Sequence, residues 1–188
     1  MNELDKMKAG MWYDANYDKD LLEKRMKIMD LCFKYNQTMP SHIETKQTIL
    51  KQILGYLPQN VTILSPFACD YGMNLHLGKD VFVNCNSYFM DCADITIGDH
   101  VFIGPNCGFY TAIHSFDKEM RNQGMEKALP ITIGSDVWIG GNVVILPGVH
   151  VGDNCIIGAG SVVTKDVPSG YVAYGNPCKI QYKVEDKD

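Results

Sequence analysis

Residues 133–168 read I-G-S-D-V-W, I-G-G-N-V-V, I-L-P-G-V-H, V-G-D-N-C-I, I-G-A-G-S-V and V-T-K-D-V-P, six hexads that follow one another without a gap. Each hexad opens on Ile or Val and carries a small or apolar residue four positions later. An internal repeat of this period predicts a parallel β-helix, in which three short strands form one triangular coil. The lead residue of each hexad is expected to point to the axis, and glycine is expected to supply the bend.

The same register begins upstream of this run, at Leu77-Gly78, Val83-Asn84, Ile97-Gly98 and Ile103-Gly104. Residues 115–130 carry no hexad pattern, so we expect them to loop out of the coil. A long unpatterned excursion from a rigid scaffold is usually functional. The sequence therefore predicts a helical segment over 1–58 and a β-helix over 59–188 that includes this loop and a C-terminal tail.

Residues 1–58 are rich in Lys, Glu, Met and Leu, whereas glycine and valine concentrate after them. Apolar residues at helical spacing predict an amphipathic helix from about Asp20 to Tyr35, which Pro40 stops. We expect its apolar stripe to be core, and the stripe consists of Leu22, Met26, Met29 and Phe33, widened by Leu21, Ile28, Cys32 and Tyr35.

A second helix is expected to follow directly. Ser41-His42-Ile43-Glu44 has the pattern of a capping box, and Gly55 is the expected end of the helix. Its predicted apolar face consists of Ile49, Leu50, Ile53 and Leu54.

Composition excludes several classes of function. The net charge of −5 opposes nucleic-acid binding, which needs a surplus of lysine and arginine to neutralise phosphates. No uncharged apolar run reaches the length of a membrane span, and charges throughout the first 25 residues oppose a secretory signal. Seven cysteines, an odd number without a C-x-x-C pair, predict neither a disulfide framework nor a zinc ribbon. A reducing cytoplasm fits this composition best.

The hexads together with Y-G-N-P-C-K (174–179) resemble the hexapeptide-repeat acyltransferases. Within that family, M-K-A-G-M-W-Y-D (7–14), L-L-E-K-R (21–25) and D-Y-G-M-N (70–74) resemble the maltose/galactoside O-acetyltransferases. The resemblance implies a left-handed coil and transfer of an acetyl group from acetyl-CoA to a hydroxyl of a sugar-like acceptor. It also implies a homotrimer whose active sites lie between neighbouring subunits.

His114 ends a hexad and opens the excursion, where a side chain can leave the coil wall. The resemblance makes it the general base that takes the hydroxyl proton, a role that suits an imidazole and is worth roughly 10²- to 10⁴-fold. It also gives Asn84 a part in catalysis and in acceptor binding. Because no activated serine or cysteine is evident beside the base, we expect the acetyl group to pass directly from CoA to the acceptor.

The remaining site residues are implied by the same resemblance. Carboxylates and amides suit a sugar because they hydrogen-bond to hydroxyls. Cys92 departs from relatives that can carry a second acid at its position. Lys179 stands where the family frequently has arginine, and Lys183 is another candidate to bind the phosphates of CoA. The expected acceptor residues are Asp14, Asp70, Asn84, Asp91, Cys92 and Glu126, and the expected acetyl-CoA residues are Trp138, Gly141, Ala159, Thr164, Lys165 and Lys179.

Three alternatives remain open at this point. The enzyme could acetylate another acceptor, such as an amine, an amino acid or an antibiotic. A β-helix carbonic anhydrase would need three histidines that converge on zinc, and the candidates are His76, His100, His114 and His150. The third alternative is a β-helix that serves only as a scaffold.

Overall fold

The computed structural model describes residues 1–187 as a solenoid of about six turns of parallel strands, with helices at its N-terminal end. Asp188, the last residue of the predicted β-helix segment, lies outside the described residues. The helices are α1 (Glu3–Lys8), α2 (Lys19–Gln37), α3 (Ile43–Leu54), α4 (Lys118–Asn122) and a final 3₁₀ helix (Val184–Lys187). The strands are β1 (Tyr13–Asp14), β2 (Thr62–Ile63), β3 (Phe67–Cys69), β4 (Leu75–Leu77), β5 (Phe82–Val83), β6 (Ser87–Met90), β7 (Ile95–Ile97), β8 (Phe102–Ile103), β9 (Gly108–Tyr110), β10 (Ala112–His114), β11 (Met125–Ala128), β12 (Ile131–Ile133), β13 (Trp138–Ile139), β14 (Val144–Ile145), β15 (His150–Val151), β16 (Ile156–Ile157), β17 (Val162–Val163), β18 (Tyr171–Tyr174) and β19 (Lys179–Lys183).

The coil has three faces, and the chain visits them in the same order in each turn. Face 1 contains β2, β5, β8, β13, β16 and β18, with β19 added antiparallel at its end. Face 2 contains β3, β6, β9, β14 and β17, and face 3 contains β4, β7, β12 and β15. The chain therefore turns from face 1 to face 2 at one corner of each coil and from face 2 to face 3 at the next.

The hexad pattern predicts the interior correctly. Every lead residue of the six continuous hexads is buried, and so is every residue four positions later. Parallel pairing in register stacks these side chains into ladders, such as Ile103, Ile139 and Ile157 along face 1. The buried lead residues are Ile133, Ile139, Ile145, Val151, Ile157 and Val163, and those that follow are Val137, Val143, Val149, Cys155, Ser161 and Val167.

Glycine does not supply the bend where we expected it. The residue after the lead position does not adopt positive φ; instead a Cβ on Gly98 or Gly140 would lie 2.6 Å from the backbone of the next coil. These glycines allow the coils to stack closely. The left-handed turn falls two residues later, where Asn and Asp tolerate positive φ better than most other residues do. Corner residues with this conformation are Asn60, Asp80, Asn86, His100, Asn106, Asp136, Asn142, Gly148, Asn154, Gly160 and Gly170.

The excursion leaves the coil as predicted, but it is more ordered than an unpatterned loop. It contains α4 and then β11, which pairs antiparallel with β10 on one side and with β1 on the other. The sequence pattern does not predict β11, because the inward positions of this strand are Glu126 and Ala128 rather than large apolar residues.

α2 packs on the first coil through one face only. The hydroxyl of Tyr35 donates to the carbonyl of Ile63 at 2.7 Å, and the side-chain amide of Asn36 bonds both backbone groups of Phe67. The predicted stripe in fact consists of two rows of apolar residues. The end of the coil is narrow, so only one of these rows is buried against it. The widening residues Leu21, Ile28, Cys32 and Tyr35 are buried, whereas Leu22, Met26, Met29 and Phe33 are 40–66% exposed, so their assignment to the core is wrong.

α3 begins without the predicted capping box. His42, not Ser41, is the N-cap residue, and it makes no side-chain cap hydrogen bond. The chain instead turns into the helix through the bond from the His42 N–H to the Met39 carbonyl at 3.0 Å. Gly55, at φ +81°, ends the helix as predicted. The buried face consists of Leu50, Ile53 and Leu54, with Ile49 packed beside it. No helix within residues 1–187 is both long enough and apolar enough to cross a membrane.

Candidate active site

A small antiparallel sheet of β1, β11 and β10 carries the candidate base. Tyr13 stands opposite Glu126, and Glu126 stands opposite His114, so the three residues form one row across the sheet. Directly opposed residues on one face of an antiparallel sheet have Cβ atoms about 5 Å apart, within reach of each other's side chains. The excursion therefore returns as a strand that brings a carboxylate to the histidine.

The His114 side chain is 48% exposed, so its ring is open to a reactant. Its Nδ1 lies 3.3 Å from the backbone carbonyl of Met125, and its Nε2 lies 3.8 Å from Oε2 of Glu126. A neutral imidazole that donates Nδ1–H to a carbonyl keeps Nε2 free to accept a proton. This arrangement suits a general base.

Glu126 is 6% exposed, and its Oε1 accepts a hydrogen bond from the Tyr13 hydroxyl. Burial, together with the nearby Cys92 and Glu126, raises the pKa of Tyr13 far above its usual value. The phenol therefore keeps its proton and remains a donor to the carboxylate.

Asp70 is held by two donors. The Tyr88 hydroxyl donates to Oδ1 at 2.5 Å, and the Cys92 thiol lies 3.6 Å from Oδ2. Burial raises the pKa of both Tyr88 and Cys92, so each keeps its proton. Cys92 thus serves as a neutral donor to Asp70.

Asp91 lies beneath this pair and is completely buried. Its Oδ1 accepts the backbone N–H groups of Asp70 at 2.9 Å and Tyr71 at 2.8 Å. Burial raises the pKa of Asp91 to about 7, and the charge of Asp70 acts in the same direction. In the single chain Asp91 supports the Asp70 loop and has no surface open to an acceptor.

The predicted acceptor residues thus fall into two groups. Asp14 and Asp70 are partly exposed, whereas Asp91, Cys92 and Glu126 are buried. The Asp14 carboxylate accepts the N–H groups of Asn16 and Tyr17. Sequence reasoning missed the phenols Tyr13 and Tyr88, which hold two of these carboxylates. Tyr13 reaches Glu126 through the pairing of β1 with β11, outside the hexad pattern. Tyr88 lies on β6, which pairs within face 2 with β3, the strand that precedes Asp70.

Gly141 and Ala159, two of the residues predicted to contact acetyl-CoA, lie at the corner between faces 1 and 2. The Gly160 N–H donates to the Gly141 carbonyl at 2.9 Å, which stacks the two turns. Within the described chain, the N–H groups of Gly141 and Ala159 meet no acceptor. Two adjacent turns therefore present free backbone donors at the same corner. Asn84 lies on this corner as well, where its side-chain oxygen accepts the Cys85 N–H at 2.8 Å.

The other predicted cofactor residues lie on the surface. Trp138 is 57% exposed on face 1, between Phe102 and Ile156 of the adjacent strands. Thr164 and Lys165 follow β17 at the corner between faces 2 and 3, and Lys179 begins β19. Lys179 is exposed and forms no ion pair within residues 1–187, whereas Lys183 pairs with Glu185 at 3.1 Å.

One chain does not bring all of these residues together. Asp70, Asp91, Cys92 and the start of the excursion that carries His114 follow face-2 strands, at the corner with face 3. Asn84, Gly141 and Ala159 follow face-1 strands, at the corner with face 2. The candidate base and the free backbone donors thus lie on opposite edges of face 2.

The four histidines considered for zinc lie at separate places. His76 bonds to Asp94 at 2.9 Å, His100 lies 3.6 Å from Asp80, and His150 is on β15 of face 3. Residues 1–187 contain no group of three His, Cys, Asp or Glu side chains that could hold a metal ion.

Comparison with known families matches both parts of the chain. Residues 6–58 match the maltose acetyltransferase hexapeptide capping motif. Residues 130–165 match the bacterial transferase hexapeptide in six repeats, and residues 94–114 match the hexapeptide repeat of succinyl-transferase.

Relatives are similar over the full length of the chain. A Staphylococcus aureus (strain MRSA252) protein, provisionally named an acetyltransferase, is 52% identical over 187 residues, which are 100% of this chain and 94% of the relative. A Saccharomyces cerevisiae protein with the same provisional name is 46% identical, over 100% of this chain and 96% of the relative.

Three solved structures share the fold. The maltose O-acetyltransferase of Clostridium difficile 630 has a TM-score of 0.94 and 43% identity, covering 97% of each chain. A galactoside acetyltransferase in complex with coenzyme A has a TM-score of 0.92 and 36% identity, covering 100% of this chain and 94% of that chain. A Vibrio cholerae hexapeptide-repeat acetyltransferase complexed with acetyl-CoA has a TM-score of 0.89 and 37% identity over 100% of each chain. The chain therefore belongs to the maltose/galactoside O-acetyltransferase subgroup of the hexapeptide-repeat acyltransferases.

Proposed function

We propose that this protein transfers an acetyl group from acetyl-CoA directly to a hydroxyl of a sugar, with His114 as the general base. The observation that carries the proposal is the orientation of His114, whose Nδ1 faces a backbone carbonyl while Nε2 remains available beside the Glu126 carboxylate. The similarity to a maltose O-acetyltransferase and a galactoside acetyltransferase supports a sugar acceptor. The CoA and acetyl-CoA in the complexes of two similar proteins support acetyl-CoA as the donor.

Asp14 and Asp70 are the carboxylates best exposed to an acceptor on this side. Each can accept hydrogen bonds from sugar hydroxyls, and Tyr88 and Cys92 fix the orientation of Asp70. Asp91 contributes from below through the backbone of Asp70. Asn84 completes the predicted acceptor set from the other edge of face 2.

The free N–H groups of Gly141 and Ala159 would receive the thioester end of acetyl-CoA. A backbone donor that is already in place stabilises the oxyanion that forms when the hydroxyl attacks the thioester. Trp138 would lie beside the cofactor, and the cations of Lys165 and Lys179, with the hydroxyl of Thr164, would serve its pantetheine and phosphate groups.

A homotrimer would complete the site. Because the base and the free donors lie on opposite edges of face 2, a ring of copies can place the His114 edge of one subunit against the Asn84 and Gly141 edge of the next. Each interface would then contain one whole site. The seven free thiols suit a reducing compartment such as the cytoplasm.

In the reaction, the acceptor oxygen attacks the thioester carbonyl while Nε2 of His114 takes the hydroxyl proton. The carbon–sulfur bond then breaks, and the CoA thiolate leaves and takes the proton from His114. A route through an acetyl-cysteine is disfavoured because burial raises the pKa of Cys92 and of Cys107, so neither is a ready thiolate. Cys85 lies at the other corner, beside Asn84.

The experiment is an acceptor screen at fixed acetyl-CoA. CoA release, corrected for hydrolysis, is measured with maltose, glucose, a galactoside, amino acids, simple amines and aminoglycoside antibiotics, and each product is identified by mass. We expect O-acetylated sugar as the main product. Preferred N-acetylation of an amine or antibiotic would overturn the sugar assignment, and no transfer to any acceptor would favour the scaffold.

A further inference from the structure

The row Tyr13, Glu126 and His114 suggests a role for Glu126 other than acceptor binding. Only 6% of Glu126 is exposed, and one carboxylate oxygen is already bound by the Tyr13 hydroxyl. The other oxygen faces Nε2 of His114 at 3.8 Å. Both oxygens are therefore directed at the protein, which leaves little of the carboxylate for a substrate.

We propose that Glu126, clamped by Tyr13, is a positioning residue that acts through His114 by stabilising the charged form of its ring during transfer. This inference rests on the proposed function. When Nε2 takes the acceptor proton, the ring becomes an imidazolium beside a buried carboxylate, and this attraction is absent while the ring is neutral. An interaction made only after proton transfer begins raises kcat and does not tighten acceptor binding.

Tyr13 acts in this account only through Glu126. It is completely buried, so a Phe fills the same space and removes only the hydroxyl. Without the Tyr13 hydroxyl, Oε1 of the buried Glu126 carboxylate loses its hydrogen-bond donor. The carboxylate is then free to turn away from the His114 ring. The effect of losing Tyr13 should accordingly vanish once Glu126 is gone.

The test compares steady-state kinetics of Glu126→Gln, Tyr13→Phe and the double variant, with melting temperature and light scattering to verify folding and assembly. We expect kcat to fall about 10- to 100-fold in Glu126→Gln and about 3- to 10-fold in Tyr13→Phe, with the acceptor KM within about twofold of wild type. The double variant should match Glu126→Gln alone. Asp94→Asn is the matched control, because Asp94 pairs with His76 at 2.9 Å on the surface of face 3; it should leave kcat unchanged.

Two outcomes overturn the inference: a raised acceptor KM with kcat retained, which would make Glu126 a substrate contact, or losses in the two single variants that multiply in the double variant. If Glu126→Gln does not fold, Tyr13→Phe decides alone, and a wild-type kcat would then overturn the inference. All variants are assayed with whichever acceptor the wild-type enzyme acetylates. If the screen finds that the enzyme does not acetylate sugars, the proposed sugar acceptor is overturned. The role of Glu126 is then still decided by the kinetics of the variants.

Discussion

The carboxylate of Asp91 accepts the backbone N–H of Asp70 at 2.9 Å, so one predicted acceptor residue supports the loop that presents another. The same oxygen accepts the Tyr71 N–H, while Oδ2 has no hydrogen-bond partner in the described part of the chain. A buried carboxylate with one unpaired oxygen is costly to ionise. The proposed acceptor side of the site is thus built on a group that carries a proton at mildly acidic pH.

This relationship predicts how stability depends on pH. The pKa of Asp91 is raised from 3.8 to about 7, so between these values the folded chain holds a proton that the unfolded chain has lost. The contribution that protonated Asp91 makes to the free energy of unfolding is complete below about pH 4 and is lost as pH rises through about 7. Asp91→Asn, which never ionises, should lack this loss. Between pH 5 and pH 8, the melting temperature of wild type should fall by about 5 °C or more relative to the variant.

Differential scanning calorimetry of the two proteins at matched ionic strength measures this difference. Asp117→Asn, at the exposed N-cap of α4, is a control whose melting curve should follow that of wild type with pH. Melting temperatures of wild type and Asp91→Asn that stay parallel from pH 5 to pH 8 would contradict the prediction.

The left-handed corners predict a contrast at one position. Asn154 is exposed and has φ +53°. Because glycine adopts this conformation freely and a β-branched residue does not, Asn154→Gly should be nearly neutral. Asn154→Val should lower the free energy of unfolding by about 1–2 kcal/mol. Urea denaturation of both variants measures this difference in the free energy of unfolding. Equal stability of the two variants would show that the positive φ at this position does not disfavour a β-branched residue.

Inward and outward positions of one strand predict a second contrast. In β7, Ile97 is buried between Leu77 and Ile133, while the adjacent Thr96 is exposed. Ile97→Asp puts a charge on the coil axis and should cost about 4 kcal/mol or more, enough to unfold a typical domain or leave it marginal. Thr96→Asp makes the same substitution one residue away and should melt close to wild type. A cooperative, near-wild-type melt of Ile97→Asp would show that the side chain is not in the interior.

The proposed homotrimer, with each site shared between two subunits, predicts complementation between inactive subunits. His114→Ala removes the base on one edge, and Asn84→Ala alters the other edge, so each homotrimer should have little activity. A mixed trimer contains two copies of one variant and one of the other, so one of its three interfaces combines an intact His114 edge with an intact Asn84 edge. Mixed trimers isolated by co-expression with two affinity tags should therefore recover about a third of wild-type turnover. Mixed trimers with no recovered activity would place both residues in the site of a single chain.

The repeating part of the fold could be read directly from the sequence. A hexad places one buried aliphatic residue at a fixed position, so the burial of Ile139 can be predicted without reference to the rest of the chain. The sequence also marks Gly140, but it gave this glycine the wrong role. The helix limits near Gln37 and Gly55 follow from similarly local signals. Local patterns are sufficient where each unit repeats the contacts of the last.

What the sequence did not predict depends on contacts between distant segments. Tyr13 reaches Glu126 only because the excursion returns as β11 beside β1. The exposed Met26 is on an apolar stripe as regular as the buried one, and only the shape of the first coil decides which stripe it covers. Asp91 resembles any corner acid in the sequence, and its burial becomes visible only in three dimensions.

The proposal that His114 is the base in direct acetyl transfer is decided by His114→Ala. We expect kcat to fall by roughly 10²- to 10⁴-fold while the Kd for acetyl-CoA, measured by calorimetry, stays within about threefold of wild type. His76→Ala, which removes an exposed histidine paired with Asp94, is the matched control and should keep wild-type turnover. A His114→Ala variant that retains most of its turnover would show that His114 is not the base, and a stoichiometric acetyl-enzyme formed by wild type without acceptor would show that transfer is not direct.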